Sequence, residues 1–167
     1  MTDSDFNTPP WILDLVRQLD PHKRIGLDPC SNSGSMVNPR LSYDVECNGL
    51  IQAWRGFGLV FMNPPHSMSP NNIEPWIEKA FEEFVTTPLE RDDLDAFVGL
   101  VPAKTDTAWF HDSVTEFAAR CFLKGRPKFW HEGKETAGPG KFASMVIYHG
   151  PAVGLFYKVF GPYGWIA

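Results

Sequence analysis

The sequence predicts an α/β protein whose doubly wound sheet ends in a C-terminal antiparallel hairpin. Residues 59–62 and 96–101 are short, continuous apolar runs of the kind found in buried parallel strands. Between them, residues 74–85 place apolar side chains at helical spacing, which predicts a helix packed on the sheet. Near the end of the chain, residues 144–148 and 153–159 flank a Gly-Pro pair and are predicted to form the hairpin.

The first helix is predicted to start at residues 7–10, Asn-Thr-Pro-Pro, where a polar side chain caps it and the prolines cost no helical hydrogen bond. The helix ends before Pro21 and has one apolar face, made of Trp11, Ile12, Leu15, Val16 and Leu19. Residues 25–27 then form a short strand, and a loop of small residues follows at 28–35. Later in the chain, a helix is predicted over 107–119 and a strand over 121–123.

The composition indicates one folded domain spanning residues 1–167, with 43% hydrophobic residues. No apolar stretch approaches the roughly 20 residues of a membrane span, and the acidic N-terminus lacks the features of a signal peptide, so a cytoplasmic location is expected. The three cysteines, Cys30, Cys47 and Cys121, are widely spaced and include no Cys-x-x-Cys pair. They are predicted to be reduced thiols in the core, with neither a disulfide nor a metal site.

The net charge of −5 is unevenly distributed along the chain. Residues 1–100 carry seven Lys or Arg and fifteen Asp or Glu, a net −8, whereas residues 101–167 carry eight and five, a net +3. The excess of positive charge falls in a basic-aromatic loop at about 124–142, which includes Arg126 and Lys128. Because phosphate contacts require local positive charge, this loop is a candidate nucleic-acid contact; an ordinary basic loop is the alternative.

The most informative motif is Asn63-Pro64-Pro65-His66, which directly follows the predicted strand at 59–62. In open α/β sheets, ligands bind at the carboxyl ends of the strands. The Asn63 side-chain oxygen and the Pro64 carbonyl are both fixed acceptors, suited to the two hydrogens of a planar –NH2 group. The motif therefore indicates an enzyme that methylates an exocyclic amine, and a plain proline turn after a strand is the alternative.

Further motifs occur in one order along the chain: Thr8-Pro9, Leu27-Asp28-Pro29, Gly49-Leu50 followed by Trp54, Asn63-Pro64-Pro65, Trp76-Ile77 with Lys79-Ala80, Thr107 with Trp109-Phe110-His111, and Gly125-Arg126 with Phe129. Together they resemble the small phage- and prophage-type DNA N6-adenine methyltransferases, from about residue 6 to about residue 149. Two positions depart from that family. His66 stands where an aromatic residue, most often Tyr, is usual, and Asn48 stands where an acid is frequent.

The resemblance implies a Rossmann-like fold that uses S-adenosylmethionine as the methyl donor, without a metal. Asp28 is then expected to accept a hydrogen bond from the ammonium group of the donor; an aspartate that caps a turn or a helix is the alternative. Pro29 and Cys30 begin the loop that lies beside the donor. The start of the first helix, at Thr8 and Pro9, is expected to face the donor carboxylate.

The resemblance also implies contacts at the other end of the donor. An acid should bind the ribose, and this chain offers Asp44, Glu46 or neither. Phe6 or Trp11 is a candidate for packing near the adenine ring of the donor, although Trp11 is expected in the core. Asn63, at the reaction centre, is expected to contact the donor as well as the target base.

The implied substrate is double-stranded DNA, from which the target adenine must flip out to reach Asn63 and Pro64. His66 is expected to stack on the flipped base. Lys104 is a candidate phosphate contact, and His111 either contacts phosphate or caps a turn. The chain is therefore expected to act as a site-specific modification enzyme of the restriction-modification type.

Two alternatives stay open at this stage. The chain could be another Asn-Pro-Pro amine methyltransferase, with RNA or a protein glutamine as acceptor. It could also be a catalytically impaired module that binds S-adenosylmethionine or DNA, a hypothesis supported by His66 and Asn48. A nicotinamide-binding dehydrogenase is disfavoured because no Gly-x-Gly-x-x-Gly follows the first strand. The sequence carries no signal for an oligomeric state.

Overall fold

The computed structural model describes residues 6–65, 73–87 and 95–167, and these residues form a seven-stranded mixed sheet and a separate two-stranded hairpin. Four strands of the sheet run parallel: β1 (Leu27–Asp28), β2 (Leu41–Ser42), β3 (Leu59–Met62) and β4 (Ala96–Pro102). Three more complete it in antiparallel pairings: β5 (Ala119–Leu123), β8 (Ser144–His149) and β9 (Gly164–Ile166). The separate hairpin consists of β6 (Trp130–His131) and β7 (Lys134–Glu135). The order across the sheet is β2-β1-β3-β4-β8-β5-β9.

Helices cover both faces of the sheet, because successive side chains of a strand point to opposite faces. Phe61 and Val98 belong to a hydrophobic cluster with α1 (Pro10–Arg17) and α4 (Val153–Phe160). Their neighbours Val60 and Phe97 belong to a second cluster with α2 (Glu74–Phe81) and α3 (Ala108–Asp112). The doubly wound α/β fold is thereby confirmed. None of the helices in the described ranges has the length and apolar character needed to cross a bilayer.

Three details of the prediction are wrong. Residues 153–159 form no strand; they lie in α4, with Phe156, Val159 and Phe160 buried on one helical face. The antiparallel partners of β8 are β4 and β5 instead. The helix expected over 107–119 is only α3 followed by a 3-10 turn, Val114–Glu116, because β5 already begins at Ala119. Trp11 is not in the core: it is 40% exposed, and its ring stacks on Tyr163.

The loops that carry most of the candidate site residues lie at one edge of the sheet. The parallel strands β1 to β4 all end at this edge, and Ser144 at the start of β8 lies there too, paired with Pro102 at the end of β4. Since β5 is antiparallel to β8, it also ends at this edge, and residues 124–142 connect the two strands there. The loops after β1, β2 and β3 therefore meet the basic-aromatic loop.

Candidate active site

A cavity of about 1000 Å³ lies among these loops, and we call it the main cavity. One wall is the loop after β1, residues 30–33, and another follows β2, residues 44–49 except Cys47. Asn63, Pro64 and Pro65 line it at the end of β3, and Phe6, Trp76, Pro102 and Ser144 contribute at its margins. The remaining wall comes from the basic-aromatic loop through Phe129, Thr136 and residues 138–142. Its position at the carboxyl ends of the strands is where α/β sheets bind ligands.

Asn63 lines this cavity, and its side-chain oxygen has no hydrogen-bond partner among the described residues. Its Nδ2 donates a hydrogen bond to Thr8 Oγ1 over 3.0 Å, which fixes the orientation of the amide. Its Oδ1 is buried and accepts no hydrogen bond from any of the described residues. A buried acceptor without a donor costs free energy, typically about 1–3 kcal/mol. Among the described residues, the Asn63 oxygen therefore keeps its full accepting capacity.

The segment before α1 is held at the site by contacts other than the predicted helix cap. The expected side-chain cap is absent: Pro9 is the N-cap residue of α1, and no side chain of the described residues caps the helix. Asn7 instead forms an antiparallel bridge with Trp130, through Asn7 N to Trp130 O at 2.7 Å and Trp130 N to Asn7 O at 2.9 Å. Thr8 is buried and accepts the Asn63 hydrogen bond. The segment therefore connects the basic-aromatic loop to the end of β3.

Asp28 lies beneath the loop after β1 and is absent from the described lining of the main cavity. Its Oδ1 accepts a hydrogen bond from Cys30 N at 3.1 Å, and its Oδ2 accepts one from Ser35 Oγ at 3.3 Å. Burial raises the pKa of the Asp28 carboxyl to about 6, although hydrogen bonds from Cys30, Ser31 and Ser35 oppose that shift. The carboxylate that was expected to hold the donor ammonium is thus engaged in shaping the loop.

We expect Asp28→Asn to raise the free energy of unfolding by about 2–3 kcal/mol near pH 8. The folded chain keeps the Asp28 proton up to a pKa of about 6, whereas the unfolded carboxyl releases it near 3.8. Ionisation of the buried group therefore destabilises the wild type as the pH rises through this window. Asn keeps an acceptor for Cys30 N–H without the charge.

Urea unfolding of both proteins at about pH 4, 6 and 8 measures this difference. The stability advantage of Asp28→Asn should be largest near pH 8 and nearly vanish near pH 4, where folded wild type is protonated. An advantage that is the same at every pH would show that the charge of Asp28 carries no penalty.

The cysteines are all free, as expected, but they are not all in the core. Cys121 is buried, Cys30 is half-buried at the main cavity, and Cys47 is exposed, so the core assignment of Cys47 is wrong. Burial, and then the neighbouring Asp28 charge, raise the pKa of the Cys30 thiol well above its usual value, against a hydrogen bond from the Asn63 backbone. Cys30 therefore stays a neutral thiol that packs between the loops after β1 and β3.

Two acids and one amide line the main cavity after β2. Asp44 Oδ1 accepts hydrogen bonds from Glu46 N and Cys47 N, both at 3.0 Å, and these bonds lower the pKa of the Asp44 carboxyl. Glu46 also lines the cavity. Asn48 has a left-handed backbone, with φ 49°, and its Oδ1 accepts from Leu50 N. Both acids that were considered for the ribose therefore border the cavity, and Asn48 shapes the turn beside them.

The basic-aromatic loop borders two different cavities. Phe129 and Phe142 line the main cavity, whereas Arg126 and Lys128 line a different, smaller one. Arg126 Nη1 donates to the Lys141 carbonyl over 3.1 Å, so the guanidinium also ties the two ends of the loop together. Lys128 Nζ lies 3.3 Å from Glu135 Oε1 at a half-exposed position, where such a pair contributes little stability.

The two remaining candidate phosphate contacts, Lys104 and His111, are absent from the described lining of the main cavity. Lys104 Nζ lies 4.6 Å from the centroid of the Phe142 ring, a cation–π contact. His111 Nε2 lies 2.9 Å from the Thr105 carbonyl oxygen, so this nitrogen carries the proton, and the geometry favours the turn-capping alternative for His111. His66 falls outside the described residues.

Several cavity residues were not among the candidates from the sequence. Trp76 and Phe142 were missed, as were the small residues at 31–33 as individual contacts. Phe6, expected near the donor, does line the cavity, and its ring centroid lies 5.6 Å from that of His131. The helical spacing of Trp76 indicated burial, and no sequence signal showed that its ring also borders the cavity.

A doubly wound sheet with an Asn-Pro-Pro turn at a cavity on its carboxyl edge defines the class, a Rossmann-like methyltransferase. A family model described as DNA N-6-adenine-methyltransferase (Dam) matches residues 2–152 of the 167. The chain therefore belongs to the DNA N-6-adenine-methyltransferase (Dam) family, which confirms the resemblance seen in the motifs. No curated protein matches the chain. The family implies methylation of adenine N6 in DNA, and so a DNA substrate.

Proposed function

We propose that this protein transfers a methyl group from S-adenosylmethionine to N6 of an adenine that is flipped out of double-stranded DNA into the main cavity. The observation that carries the proposal is the buried Oδ1 of Asn63, an acceptor with no donor among the described residues, at the end of β3. The exocyclic amine of adenine supplies the donor that this oxygen lacks. Family membership supports the same substrate.

The residues around the main cavity fit the methyl donor. Asp44 and Glu46 border it with carboxylates that can accept hydrogen bonds from ribose hydroxyls. Phe6 and the small residues at 31–33 supply an aromatic surface and close backbone approach. The volume of about 1000 Å³ lies at the upper end of the usual range for a small-molecule site, which leaves room for a base beside the donor.

Asn63 and Pro64 would activate the amine by position and hydrogen bonding. The lone pair of adenine N6 is delocalised into the ring, which makes it a poor nucleophile. Asn63 Oδ1 and the Pro64 carbonyl each accept one N6 hydrogen, which favours the pyramidal nitrogen whose lone pair points at the methyl carbon. S-adenosylmethionine, when bound, would supply an electrophilic methyl group on a sulfonium, whose S–C bond breaks as the N–C bond forms and which leaves as a neutral thioether. The methylated nitrogen then carries a positive charge and loses a proton to water, so Asn63 need not act as a base.

A base stacked inside the duplex cannot reach Asn63, so flipping belongs to the proposal. The stacking role of His66, the contacts of Lys104 and Lys128 with DNA, recognition of a specific sequence and a cytoplasmic modification role all stay predictions. Asp28 supports donor binding indirectly, by holding the loop at 30–33. Pro65 lines the cavity after Pro64 and restricts the backbone there.

Thr8 acts in this proposal as a positioning residue, because its hydroxyl accepts the hydrogen bond of Asn63 Nδ2 and so fixes the orientation of the amide and of its Oδ1. We expect Thr8→Val to lower kcat roughly 10- to 100-fold with a smaller change in KM, since the amide loses its fixed orientation. Steady-state methylation of an unmethylated duplex measures both constants.

The matched control is Thr8→Ser, which keeps the hydroxyl and should restore most of the kcat. A Thr8→Val protein with normal kcat and weaker donor binding would assign Thr8 to the donor carboxylate instead. Equal losses in Thr8→Val and Thr8→Ser would show that the role of Thr8 is packing.

The proposal is tested by incubating the protein with isotope-labelled S-adenosylmethionine and unmethylated duplex DNA, then identifying the digested nucleosides by mass spectrometry. Labelled N6-methyladenine is the expected product. Parallel incubations with RNA and with protein test the other acceptors, and label found only there would replace DNA as the substrate. Donor binding without transfer to any acceptor would favour the catalytically impaired module.

A further inference from the structure

A second cavity, of about 380 Å³, lies between the start of α1 and the outer face of the basic-aromatic loop. Its lining includes Trp11, Lys124, Arg126, Lys128, Trp130 and Glu135. We propose that this second cavity holds a backbone phosphate of the substrate DNA strand next to the flipped adenine. The inference rests on the proposed function, because it places the backbone of the DNA strand that carries the flipped adenine.

The charge of the second cavity suits a phosphodiester. Three cationic side chains line it against one carboxylate, in a chain whose net charge is −5. Lys128 is paired with Glu135, and Arg126 donates one N–H to the Lys141 carbonyl. A guanidinium has five N–H donors, so Arg126 retains others for an anion. Lys124 is exposed, and its backbone N–H donates to the Tyr163 carbonyl over 2.8 Å.

Aromatic rings stand beside these charges. Trp11 is 40% exposed, and its ring stacks on Tyr163 at 5.5 Å between centroids. Trp130 is half-buried at the other side, bridged by its backbone to Asn7. Cationic side chains interleaved with aromatic faces are the common surface for a nucleic-acid strand, because the cations meet phosphates and the rings meet sugars or bases. Nucleic acid therefore fits this cavity better than a small inorganic anion does.

The position of the second cavity relates it to the reaction. The basic-aromatic loop forms a wall of both cavities, with Phe129 facing the main one and Lys128 the second. Pro9 lines the second cavity, and the adjacent Thr8 holds Asn63. A DNA strand that places its base at Asn63 and crosses this loop therefore brings its backbone to the second cavity.

Lys124→Gln tests the inference, because it removes one charge and keeps the backbone bond to Tyr163. We expect duplex DNA to bind roughly three- to tenfold more weakly, and the slope of log Kd against log salt to fall by about 1. Donor affinity should not change. Fluorescence anisotropy with a labelled duplex over a salt series gives Kd and slope together. Lys158→Gln is the matched control, since Lys158 is an exposed cation on α4 outside both cavities.

A Kd and a salt slope equal to those of Lys158→Gln would overturn the inference. A Lys124→Gln protein that no longer binds inorganic phosphate but binds DNA as the wild type does would also overturn the inference, in favour of a small-anion site. The proposed function fails separately, if the wild type binds DNA through the second cavity yet forms no N6-methyladenine.

Discussion

Asn63→Ala should reduce kcat for DNA methylation at least about 100-fold, and by up to roughly 1000-fold, while the protein stays folded. The substitution removes the buried Oδ1, which accepts no hydrogen bond from the described residues, and with it one of the two acceptors proposed for adenine N6. It also removes the amide that donates to Thr8 Oγ1, so the Thr8 oxygen loses that hydrogen bond. The hydrogen bond from adenine N6 to Asn63 Oδ1 is expected to be stronger in the transition state than in the bound substrate. Its loss should therefore lower kcat more than it raises KM.

Single-turnover formation of N6-methyladenine, followed by mass spectrometry, measures this loss. The melting temperature of the variant is the control for folding and should stay near that of the wild type. Calorimetric donor affinity shows separately whether Asn63 also contacts the donor. Asn63→Gln keeps the amide but displaces it by one methylene, so its activity should also be low, because misplacing a reacting contact by about 1 Å is costly. An Asn63→Ala enzyme with the kcat of the wild type would remove Asn63 from the reaction.

Gly49→Ala should lower the free energy of unfolding by about 3 kcal/mol or more. An ideal Cβ at Gly49 would lie 1.9 Å from the Pro29 carbonyl oxygen and 2.9 Å from the Pro29 carbonyl carbon. Both atoms are backbone, so no side chain can move aside. The Gly49 carbonyl also accepts a hydrogen bond of 2.8 Å from the buried Trp54 Nε1, which a shift of the backbone would break.

The contact of Gly49 with Pro29 joins the two walls of the main cavity that follow β1 and β2. Gly49→Ala should therefore weaken donor binding as well as stability. Thermal and urea unfolding measure the first effect, with a drop in Tm of roughly 5–10 °C, and calorimetry measures the second.

Gly154→Ala is the matched control, because its added Cβ meets nothing within 4 Å and the residue lies in α4. This variant should be as stable as the wild type or more stable by about 0.5–1 kcal/mol. If Gly49→Ala were as stable as Gly154→Ala, the close approach to Pro29 would have no structural consequence.

The local pattern of the chain was enough to predict much of the fold. Continuous apolar runs identified β3 and β4, and apolar spacing identified α1 and α2. The position of Asn63 directly after β3 followed from the sequence alone, since the carboxyl end of a buried strand is a fixed place in such a sheet.

Short apolar runs were the weak point of the prediction. Residues 153–159 were assigned to a strand because they are apolar and follow Gly-Pro, yet they form α4. In a run this short, the apolar pattern alone does not distinguish a strand from a helix, and the outcome depends on which side chains become buried. Phe156, Val159 and Phe160 recur at helical spacing and pack on the sheet, so tertiary packing decided for the helix.

The sequence by itself determined which residue types are present at the site, and the tertiary structure decided which of them meet. Thr8 and Asn63 are 55 positions apart, and only the packing of α1 against the sheet brings hydroxyl and amide within 3.0 Å. Likewise, Asp28 turned out to be buried beneath its loop, and Arg126 faces a cavity different from that of Asn63. Strand and helix signals are local, because they depend on side chains a few residues apart. Side-chain contacts at a site depend on long-range packing, which no local pattern encodes.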